Sequence, residues 1–298
     1  MKVAYYPGCV AQESGKELDI ATRAVAKILG IELVDFPNFS CCGSGFIDEA
    51  NQTLNVALNG RNLAIAEKAS MDVVMTVCST CQGMLAHAKH TLAKDPVVRK
   101  RSDETLTKIG YRYQGTATPK HLMQIIVENL GGAEKLRPYV KRPLTGVKVA
   151  AFYGCHILRP HDIMEFDDPE DPHYFEDIIR VIGAEPVYYR GRVMCCGFPI
   201  QFVKPATAER IAGKQIQEAK RHGADTMATP CPLCHISLDN YQKEAGRAVG
   251  EELDMPVLHF PQLLGLAFGL DPKDLGLPRH LADTTGLVEK LSRVAVPA

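Results

Sequence analysis

In the first third of the chain, segments with the hydrophobic pattern of β-strands are separated by segments with the pattern of helices. Short runs rich in β-branched and other apolar residues, bounded by glycine or proline, are typical of buried strands. Three such runs occur here: residues 2–6, 31–36 and 72–77. Three further stretches have the pattern of helices: residues 14–29, 51–69 and 81–92. Strands that alternate with helices predict a parallel sheet of the α/β class.

The same order of elements returns in the second half of the chain. The predicted strands there are residues 147–153, 185–189 and 226–229, and the predicted helices are residues 174–182 and 206–222. The sequence therefore predicts an α/β protein of two pseudo-symmetric repeats, each with a small parallel sheet flanked by helices. We assign residues 1–94 to the first repeat, 95–145 to a connector with a helix at 119–130, and 146–298 to the second repeat with a C-terminal strand (257–260) and helix (261–269).

All ten cysteines belong to two sets of five that follow the predicted strands. In each set a single cysteine comes first, then an adjacent pair followed by glycine, then a Cys-x-x-Cys pair. The first set is Cys9, Cys41, Cys42, Cys78 and Cys81, and the second is Cys155, Cys195, Cys196, Cys231 and Cys234. Ligands of parallel α/β sheets gather at the carboxyl ends of the strands. We therefore expect each set of cysteines to form a site at one such edge.

Charge and composition narrow the class of protein. The chain has 34 Lys and Arg residues against 35 Asp and Glu residues, so no overall field attracts nucleic acid or anionic lipid. The start lacks the pattern of a secretory signal, and the longest apolar run, residues 263–270, is far shorter than a transmembrane helix. We expect a cytoplasmic protein without a transmembrane segment, in which cysteines serve as metal ligands or redox groups. The basic run at 99–112 is either a solvated connector or a docking face for a partner or an anionic substrate.

Several chemistries use cysteines in such patterns. A zinc site would need four ligands from one region, and the two Cys-x-x-Cys pairs lie in different repeats. A thioredoxin-like redox pair would leave six cysteines without a role. Iron–sulfur clusters, which bind thiolates from glycine-containing loops, fit both sets best. Because a cubane cluster takes four cysteines, either one thiol of each set is spare or an adjacent pair such as Cys41-Cys42 serves two neighbouring irons.

Two motifs that would bind an electron carrier or a further cluster are missing from the sequence. The sequence has no glycine-rich nucleotide-binding motif and no ferredoxin-type run of cysteines. An enzyme with these two sets alone needs an external electron donor or acceptor.

The duplicated cysteine pattern resembles that of the cysteine-rich, or CCG, domain, in particular the B subunit of heterodisulfide reductase and its relatives in bacterial sulfur oxidation. The resemblance covers nearly the whole chain. Beyond the cysteines it extends to four segments: Tyr153-Gly154-Cys155-His156-Ile157-Leu158-Arg159-Pro160, Phe166-Asp167-Asp168-Pro169-Glu170, Pro230-Cys231-Pro232-Leu233-Cys234 and Gln262-Leu263-Leu264-Gly265-Leu266. It implies that each five-cysteine set holds one noncubane [4Fe-4S] cluster. It also implies that the two clusters face a shared cavity where a disulfide is split.

The resemblance further implies partners and a substrate class. The partners are a C-type subunit with ferredoxin-like clusters and a flavoprotein A subunit, and the substrate is a disulfide, a persulfide or a lipoyl-bound sulfur. His156 and Arg159, just after Cys155, are the candidates to supply a proton and to hold an anionic group in the cavity.

Two alternatives remain open. In one, the chain is an iron–sulfur electron-transfer subunit of a glycolate or lactate oxidase, or of a succinate or fumarate reductase. In the other, it is a non-catalytic zinc or cluster scaffold.

Overall fold

The computed structural model describes residues 1–293 and contains two parallel sheets of four strands each. The strands are β1 (Lys2–Tyr6), β2 (Glu32–Asp35), β3 (Val73–Thr76), β4 (Thr118–His121), β5 (Lys148–Ala151), β6 (Glu185–Val187), β7 (Thr226–Thr229) and β8 (Val257–His259). Their order is β2-β1-β3-β4 in the first sheet and β6-β5-β7-β8 in the second. The identical order confirms the α/β class and the two pseudo-symmetric repeats.

Helices connect the strands of the first sheet and follow its last strand. They are α1 (Gly8–Gln12), α2 (Lys16–Ile28), α3 (Ile47–Ala50), α4 (Gln52–Lys68), α5 (Ser79–Lys94), α6 (Pro96–Lys108) and α7 (Leu122–Gln124). A π-helical turn (Ile125–Asn129) and a 3-10 helix (Ala133–Tyr139) lead to the second half.

The second half follows the same plan with shorter helices. They are α8 (His161–Met164), α9 (Tyr174–Val181), α10 (Pro205–Arg221), α11 (Pro232–His235), α12 (Gln242–Val249), α13 (Phe260–Ala267) and α14 (Thr285–Arg293). Short 3-10 and π-helical turns join them: Arg190–Val193, Phe198–Ile200, Ile236–Asn240 and Leu277–Arg279. Between residues 1 and 293, no helix is both long enough and apolar enough to cross a membrane.

The prediction of a helix at 119–130 is wrong at its start, because residues 119–121 belong to strand β4. This strand pairs with β3 at the edge of the first sheet, where Pro119 is tolerated because one side of an edge strand needs no ladder hydrogen bonds. His121 ends the strand and caps α7, since its Nδ1 accepts the backbone N–H of Met123 at 3.1 Å. A strand in the segment assigned to the connector therefore completes the first sheet. The boundaries of the three proposed segments stay predictions.

Helix α4 buries Leu63 and Ala66 as expected, but it also buries a polar face that its pattern does not predict. Its pattern predicts that Leu54 packs inward, but this side chain is 51% exposed. Asn55, Asn59 and Asn62 are buried instead. Buried amides persist when they are hydrogen-bonded, so the polar face of α4 has partners inside the protein.

The two halves share a hydrophobic core. Residues of α2, among them Leu18 and Val25, pack in one cluster with Leu263 and Leu264 of α13. At the edge of this contact, Glu17 lies buried, with its carboxylate 3.0 Å from Arg279 Nε and 3.7 Å from His259 Nε2. The ion pair ties the start of the first repeat to the C-terminal part of the second.

Candidate functional site

Four of the ten cysteines follow the central strands of the two sheets. Cys9 comes after β1 and Cys78 after β3, and these two strands are neighbours in the first sheet. Their counterparts Cys155 and Cys231 follow the neighbouring strands β5 and β7. Because the strands are parallel, the two cysteines that follow the central strands of a sheet lie at the same edge of that sheet.

Two glycines let the backbone approach the sulfurs closely. Gly8 has a φ of +78° and Gly154 a φ of +70°, which other residues rarely adopt. A Cβ atom at Gly8 would lie 3.1 Å from Cys81 Sγ, and one at Gly154 would lie 2.9 Å from Cys234 Sγ. The strand-to-cysteine turn is therefore built in the same way in both repeats.

The buried asparagines of α4 hold the loop that carries Cys41 and Cys42. The side-chain amides of Asn55 and Asn59 both donate to the Cys42 carbonyl at 2.9 Å. The amide of Asn62 accepts from the Ser40 N–H at 3.0 Å and donates to the Ser40 carbonyl at 3.1 Å. The hydrophobic pattern of α4 does not point to these residues. The signal that could have found them is three asparagines on one face of a helix, at intervals of four and three residues.

The ten sulfurs form one continuous series of contacts. In the first repeat the series runs Cys9, Cys41, Cys42, Cys81, Cys78, with 3.7 Å between Cys9 Sγ and Cys41 Sγ. In the second repeat it runs Cys155, Cys195, Cys196, Cys234, Cys231, in the equivalent order. Cys78 and Cys231 lie next to each other where the two series meet, since the Ser79 N–H donates to the Pro230 carbonyl at 3.2 Å and the Thr80 hydroxyl lies 3.4 Å from Cys231 Sγ. All ten cysteines are free thiols.

In each set of cysteines, neighbouring groups stabilise the thiolate form of the first member of the adjacent pair, Cys41 in one set and Cys195 in the other. The Gly43 N–H donates to Cys41 Sγ at 3.5 Å, and the neighbouring thiols of Cys42 and Cys9 act with it to lower the pKa of Cys41 to about 2. Cys155, Cys196 and the Gly197 N–H act likewise on Cys195 and lower its pKa to about 2. Thiolates are the form in which cysteine binds metals. Each set is thus a sulfur-rich donor group of the kind that soft metal centres prefer, and it fits an iron–sulfur cluster.

A small cavity of about 100 Å³ lies beside the second set of cysteines. Its walls include Cys155, Cys196 and Cys234 of the second repeat and Phe46 and Thr80 of the first. Thr80 also lies at hydrogen-bonding distance from the sulfur of Cys231, at 3.4 Å. Residues from both repeats therefore enclose the cavity, although the thiols among its lining residues come from the second set.

His156 lies in the wall of this cavity, as expected from its position after Cys155. Its ring packs near Gly83 of α5, where a Cβ atom would lie 3.5 Å from the histidine Cβ. The Nδ1 atom is buried and has no hydrogen-bond partner within residues 1–293. A buried ring nitrogen without a partner is available to a bound ligand.

The structure does not bring Arg159 into the cavity. Its guanidinium donates to the Val193 carbonyl at 2.9 Å, to Glu170 Oε1 at 2.8 Å and to the Pro169 carbonyl. These bonds tie the turn after Cys155 to two loops of the second repeat. The group that was expected to hold an anion is thus already paired.

A second group of polar side chains lies behind the Cys-x-x-Cys pair of the second repeat, formed by His235, Asp239 and His280. His235 Nε2 lies 2.9 Å from the Val257 carbonyl and must be protonated there. His280 Nε2 lies 2.9 Å from the Gln262 amide, and its Nδ1 lies 3.3 Å from His235 Nε2 and 3.6 Å from Asp239. This group connects the C-terminal segment around His280 to the rest of the second repeat. A metal ion bound here would have to displace hydrogen bonds of the ring nitrogens.

Comparison with known proteins agrees with this duplicated site. The CCG family, described as a cysteine-rich domain, matches residues 3–86 and 149–239. Each matched segment contains one complete set of five cysteines.

Several relatives match nearly end to end, and two of them illustrate the range of the group. One is the 8-methylmenaquinol:fumarate reductase membrane anchor subunit of Wolinella succinogenes, 37% identical over 95% of this chain and 98% of that protein. The other is the B subunit of the ferredoxin/F(420)H(2)-dependent CoB-CoM heterodisulfide reductase of Methanosarcina acetivorans, 30% identical over 99% of this chain and 98% of that protein.

A solved structure supports the fold. A hypothetical protein from Helicobacter pylori superposes with a TM-score of 0.77 at 17% identity, over 96% of this chain. This chain spans about half of that one, 52% of its length. With two matched domains and end-to-end relatives, the chain belongs to the CCG cysteine-rich domain family, in the group that includes the B subunit of heterodisulfide reductase.

Proposed function

We propose that the chain is the catalytic B-type subunit of a heterodisulfide-reductase-like complex and carries out thiol/disulfide redox chemistry in sulfur metabolism. The observation that carries this proposal is the unbroken series of ten sulfurs across both repeats, with a cavity and an unpaired imidazole beside it. The relative from Methanosarcina acetivorans, the B subunit of a heterodisulfide reductase, supports the assignment.

In this proposal two noncubane [4Fe-4S] clusters are the cofactors, one for each set of cysteines. The first set would hold one cluster and the second set the other, with all five thiols of each set as ligands. When bound, such clusters supply the electrons that split a sulfur–sulfur bond. The chain itself provides thiolates at Cys41 and Cys195 and loops held rigid by buried hydrogen bonds.

His156 is the proposed proton donor. Reduction of a disulfide leaves thiolates, and a proton from a neighbouring imidazole favours their departure as thiols. Its ring lines the cavity and Nδ1 is free to donate. Arg159 is proposed as a positioning residue, because it fixes the turn between Cys155 and α8 and contacts the cavity through that turn alone.

The proposed partners are a C-type subunit with ferredoxin-like clusters and a flavoprotein A subunit, in a cytoplasmic complex that binds no nucleic acid. The basic run at 99–112 contributes part of its charge to the chain's own structure. Arg99 pairs with Asp103 at 2.8 Å and donates to the Tyr113 carbonyl at 2.9 Å.

Metal analysis tests the cofactor assignment. Protein purified without oxygen should contain about eight iron and about eight acid-labile sulfide per chain, because each of two clusters holds four of each. Inductively coupled plasma analysis and a sulfide assay measure both. Stoichiometric zinc without sulfide would contradict the proposal and favour a zinc scaffold.

A second candidate function is an electron-transfer subunit of a succinate or fumarate reductase. The relative from Wolinella succinogenes, at 37% identity, favours it. Purified holoprotein with an artificial donor separates the two: the first proposal expects reduction of a disulfide, and the second expects reduction of a quinone analogue without it.

A further inference from the structure

The first half of the chain binds the backbone of the second repeat just before one of its cysteines. The carbonyl of Pro230, the residue before Cys231, accepts a hydrogen bond from the Ser79 N–H at 3.2 Å. The Ser79 hydroxyl donates to the same oxygen at 3.2 Å, and His121 Nε2 lies 2.9 Å from it. All three groups belong to the first half of the chain, so the opposite half holds this carbonyl.

The tautomer of His121 makes its Nε2 atom a donor. The Nδ1 atom accepts the backbone N–H of Met123 at 3.1 Å, so it carries no proton. The ring is fully buried, and burial lowers the pKa of His121 to about 4, so the imidazole is neutral at pH 7. A neutral imidazole without a proton at Nδ1 has one at Nε2. The Nε2 proton is therefore directed at the Pro230 carbonyl.

The reciprocal contact, from the second repeat to the first, is missing between residues 1 and 293. His259 ends β8 as His121 ends β4, but its Nε2 atom has no hydrogen-bond partner and lies 3.7 Å from the Glu17 carboxylate. Pro232, the counterpart of Ser79, has neither an N–H nor a hydroxyl. The contact therefore runs in one direction across the pseudo-symmetric repeats, from the first half to the second.

The surroundings of His121 keep its ring in place. The ring lies against that of Phe260, with centroids 6.3 Å apart, and the backbone N–H of His121 donates to Gln124 Oε1 at 2.9 Å. The same oxygen accepts from the Gln82 amide at 2.9 Å. Packing and hydrogen bonds thus set the direction of the ring, as a residue that orients another group requires.

We propose that His121 is a positioning residue for the cluster of the second repeat, and that its hydrogen bond to the Pro230 carbonyl fixes the backbone from which Cys231 extends. The inference rests on the clusters of the proposed function, and it adds a residue outside both sets of cysteines on which one cluster depends. Removing a partner that orients a metal ligand commonly lowers metal affinity by about 10- to 100-fold.

Two substitutions of His121 separate this role from the capping of α7. His121→Asn keeps an acceptor near the Nδ1 position and still caps α7, but it is too short to reach the Pro230 carbonyl. His121→Gln places an amide N–H near the Nε2 position and loses the cap. Only the first variant removes the bond on which the proposal depends.

Release of iron to a chelator, measured on holoprotein purified without oxygen, tests the proposal. In His121→Asn, about half of the iron should be released at least about tenfold faster than in the unmodified protein. His121→Gln should stay within about twofold of the unmodified rate. Equal acceleration in both variants would assign the effect to the lost cap, and no acceleration in His121→Asn would show that the bond is unimportant. Either result would overturn the proposal.

Variants with one set of cysteines disabled identify the cluster that is affected. In a Cys81→Ser background, which leaves the second set complete, His121→Asn should still accelerate iron release about tenfold. In a Cys234→Ser background, which leaves the first set complete, it should change the rate by less than about twofold. An equal or larger effect in the Cys234→Ser background would contradict the proposal.

Electron paramagnetic resonance covers the case in which His121→Asn is purified with about half of its iron. The missing signal should then be the one that Cys234→Ser also removes, and loss of the other signal would count against the proposal. Iron content separates this inference from the proposed function. Unmodified protein without iron and sulfide would remove the basis of both, whereas a complete iron content with an unchanged release rate in His121→Asn would overturn the positioning role alone.

Discussion

At the scale of single residues, the two members of each adjacent cysteine pair have opposite roles. Cys195 accepts hydrogen bonds and is exposed, whereas Cys196 is 4% exposed and contacts both Cys195 and Cys234. The hydrogen bond to Cys195 raises the pKa of the Cys196 thiol to about 12. Cys196 therefore lies inside the sulfur series, where we expect it to serve as a ligand.

Cys196→Ser should disturb the second cluster and leave the first intact. Serine keeps the size of the side chain but removes a soft ligand from the middle of the series. Iron content should fall by about half, and the electron paramagnetic resonance spectrum should lose the signal of one cluster. Unchanged iron content and spectra would mean that the fifth thiol is not a ligand.

His156→Ala should slow disulfide reduction by about 10²- to 10⁴-fold, the range for loss of a general acid. Its Nδ1 is buried in the cavity wall without a hydrogen-bond partner in residues 1–293. Steady-state kinetics with an artificial electron donor measures the effect, and cluster content serves as the check on integrity. His161→Ala, at an exposed histidine of α8, is the matched control and should retain full activity.

At the scale of elements, the two repeats hold their cysteine loops in different ways. In the first, a Cβ atom at Gly43 would lie 2.9 Å from the amide of Asn55 on α4. In the second, a Cβ atom at Gly197 would lie 2.7 Å from the backbone carbonyl of Ala208 on α10. A side-chain amide can shift, but a helix backbone cannot, so the second loop has less freedom.

Gly197→Ala should therefore destabilise the protein by more than the cost of placing alanine in a left-handed backbone conformation. Gly223→Ala is the matched control, because Gly223 has a φ of +83° and nothing lies within 4 Å of its Cβ position. The control should cost about 1 kcal/mol from backbone strain, and Gly197→Ala should cost several times as much and reduce cluster content. Denaturant unfolding measures both, and equal losses would show that the close approach to α10 is harmless.

The same elements show what the sequence could predict. Periodicity located most strands and helices, and the spacing of the cysteines predicted both sulfur sets, because these signals lie within short segments. It assigned Leu54 to the core and missed the buried asparagines, because the partner of that helix face is a polar loop backbone. It missed β4 because a four-residue edge strand with a proline resembles a helix start. The sequence analysis placed Arg159 at the cavity, because hydrophobic periodicity gives no information on side-chain hydrogen bonds such as those of Arg159 to Glu170 and to the Val193 carbonyl.

At the scale of the whole molecule, the ion pair of Glu17 joins the two halves. Burial opposes ionisation of this carboxyl, but the nearby His259 ring and the hydrogen bond from Arg279 outweigh it and lower its pKa from 4.5 to about 2. A carboxyl whose pKa is lower in the folded state stabilises that state fully above its unfolded pKa. The contribution is lost as the pH falls from about 4.5 towards 2.

Glu17→Gln should reduce the free energy of unfolding by about 1 to 2 kcal/mol at pH 7, less than the full pKa shift would give, because Arg279 is 49% exposed and solvent screens the pair. The difference from the unmodified protein should shrink between about pH 4.5 and pH 2. Urea titrations across this range measure it. Glu104→Gln, at an exposed carboxylate, should change stability little at any pH, and a Glu17→Gln effect that is constant with pH would argue against ionisation as the cause.

The contact between Cys78 and Cys231 has a consequence for the history of the fold. The two cysteines occupy equivalent positions, and contact between equivalent residues marks a two-fold axis. A chain of one repeat could form this contact only with a second copy of itself, as a homodimer. Fusion into one polypeptide fixes the ratio of the two copies and lets each diverge, as it has after Cys81 and Cys234, where Gln82 stands in one copy and His235 in the other. Neither half carries the whole sulfur series, so the fused chain is the smallest unit that contains it.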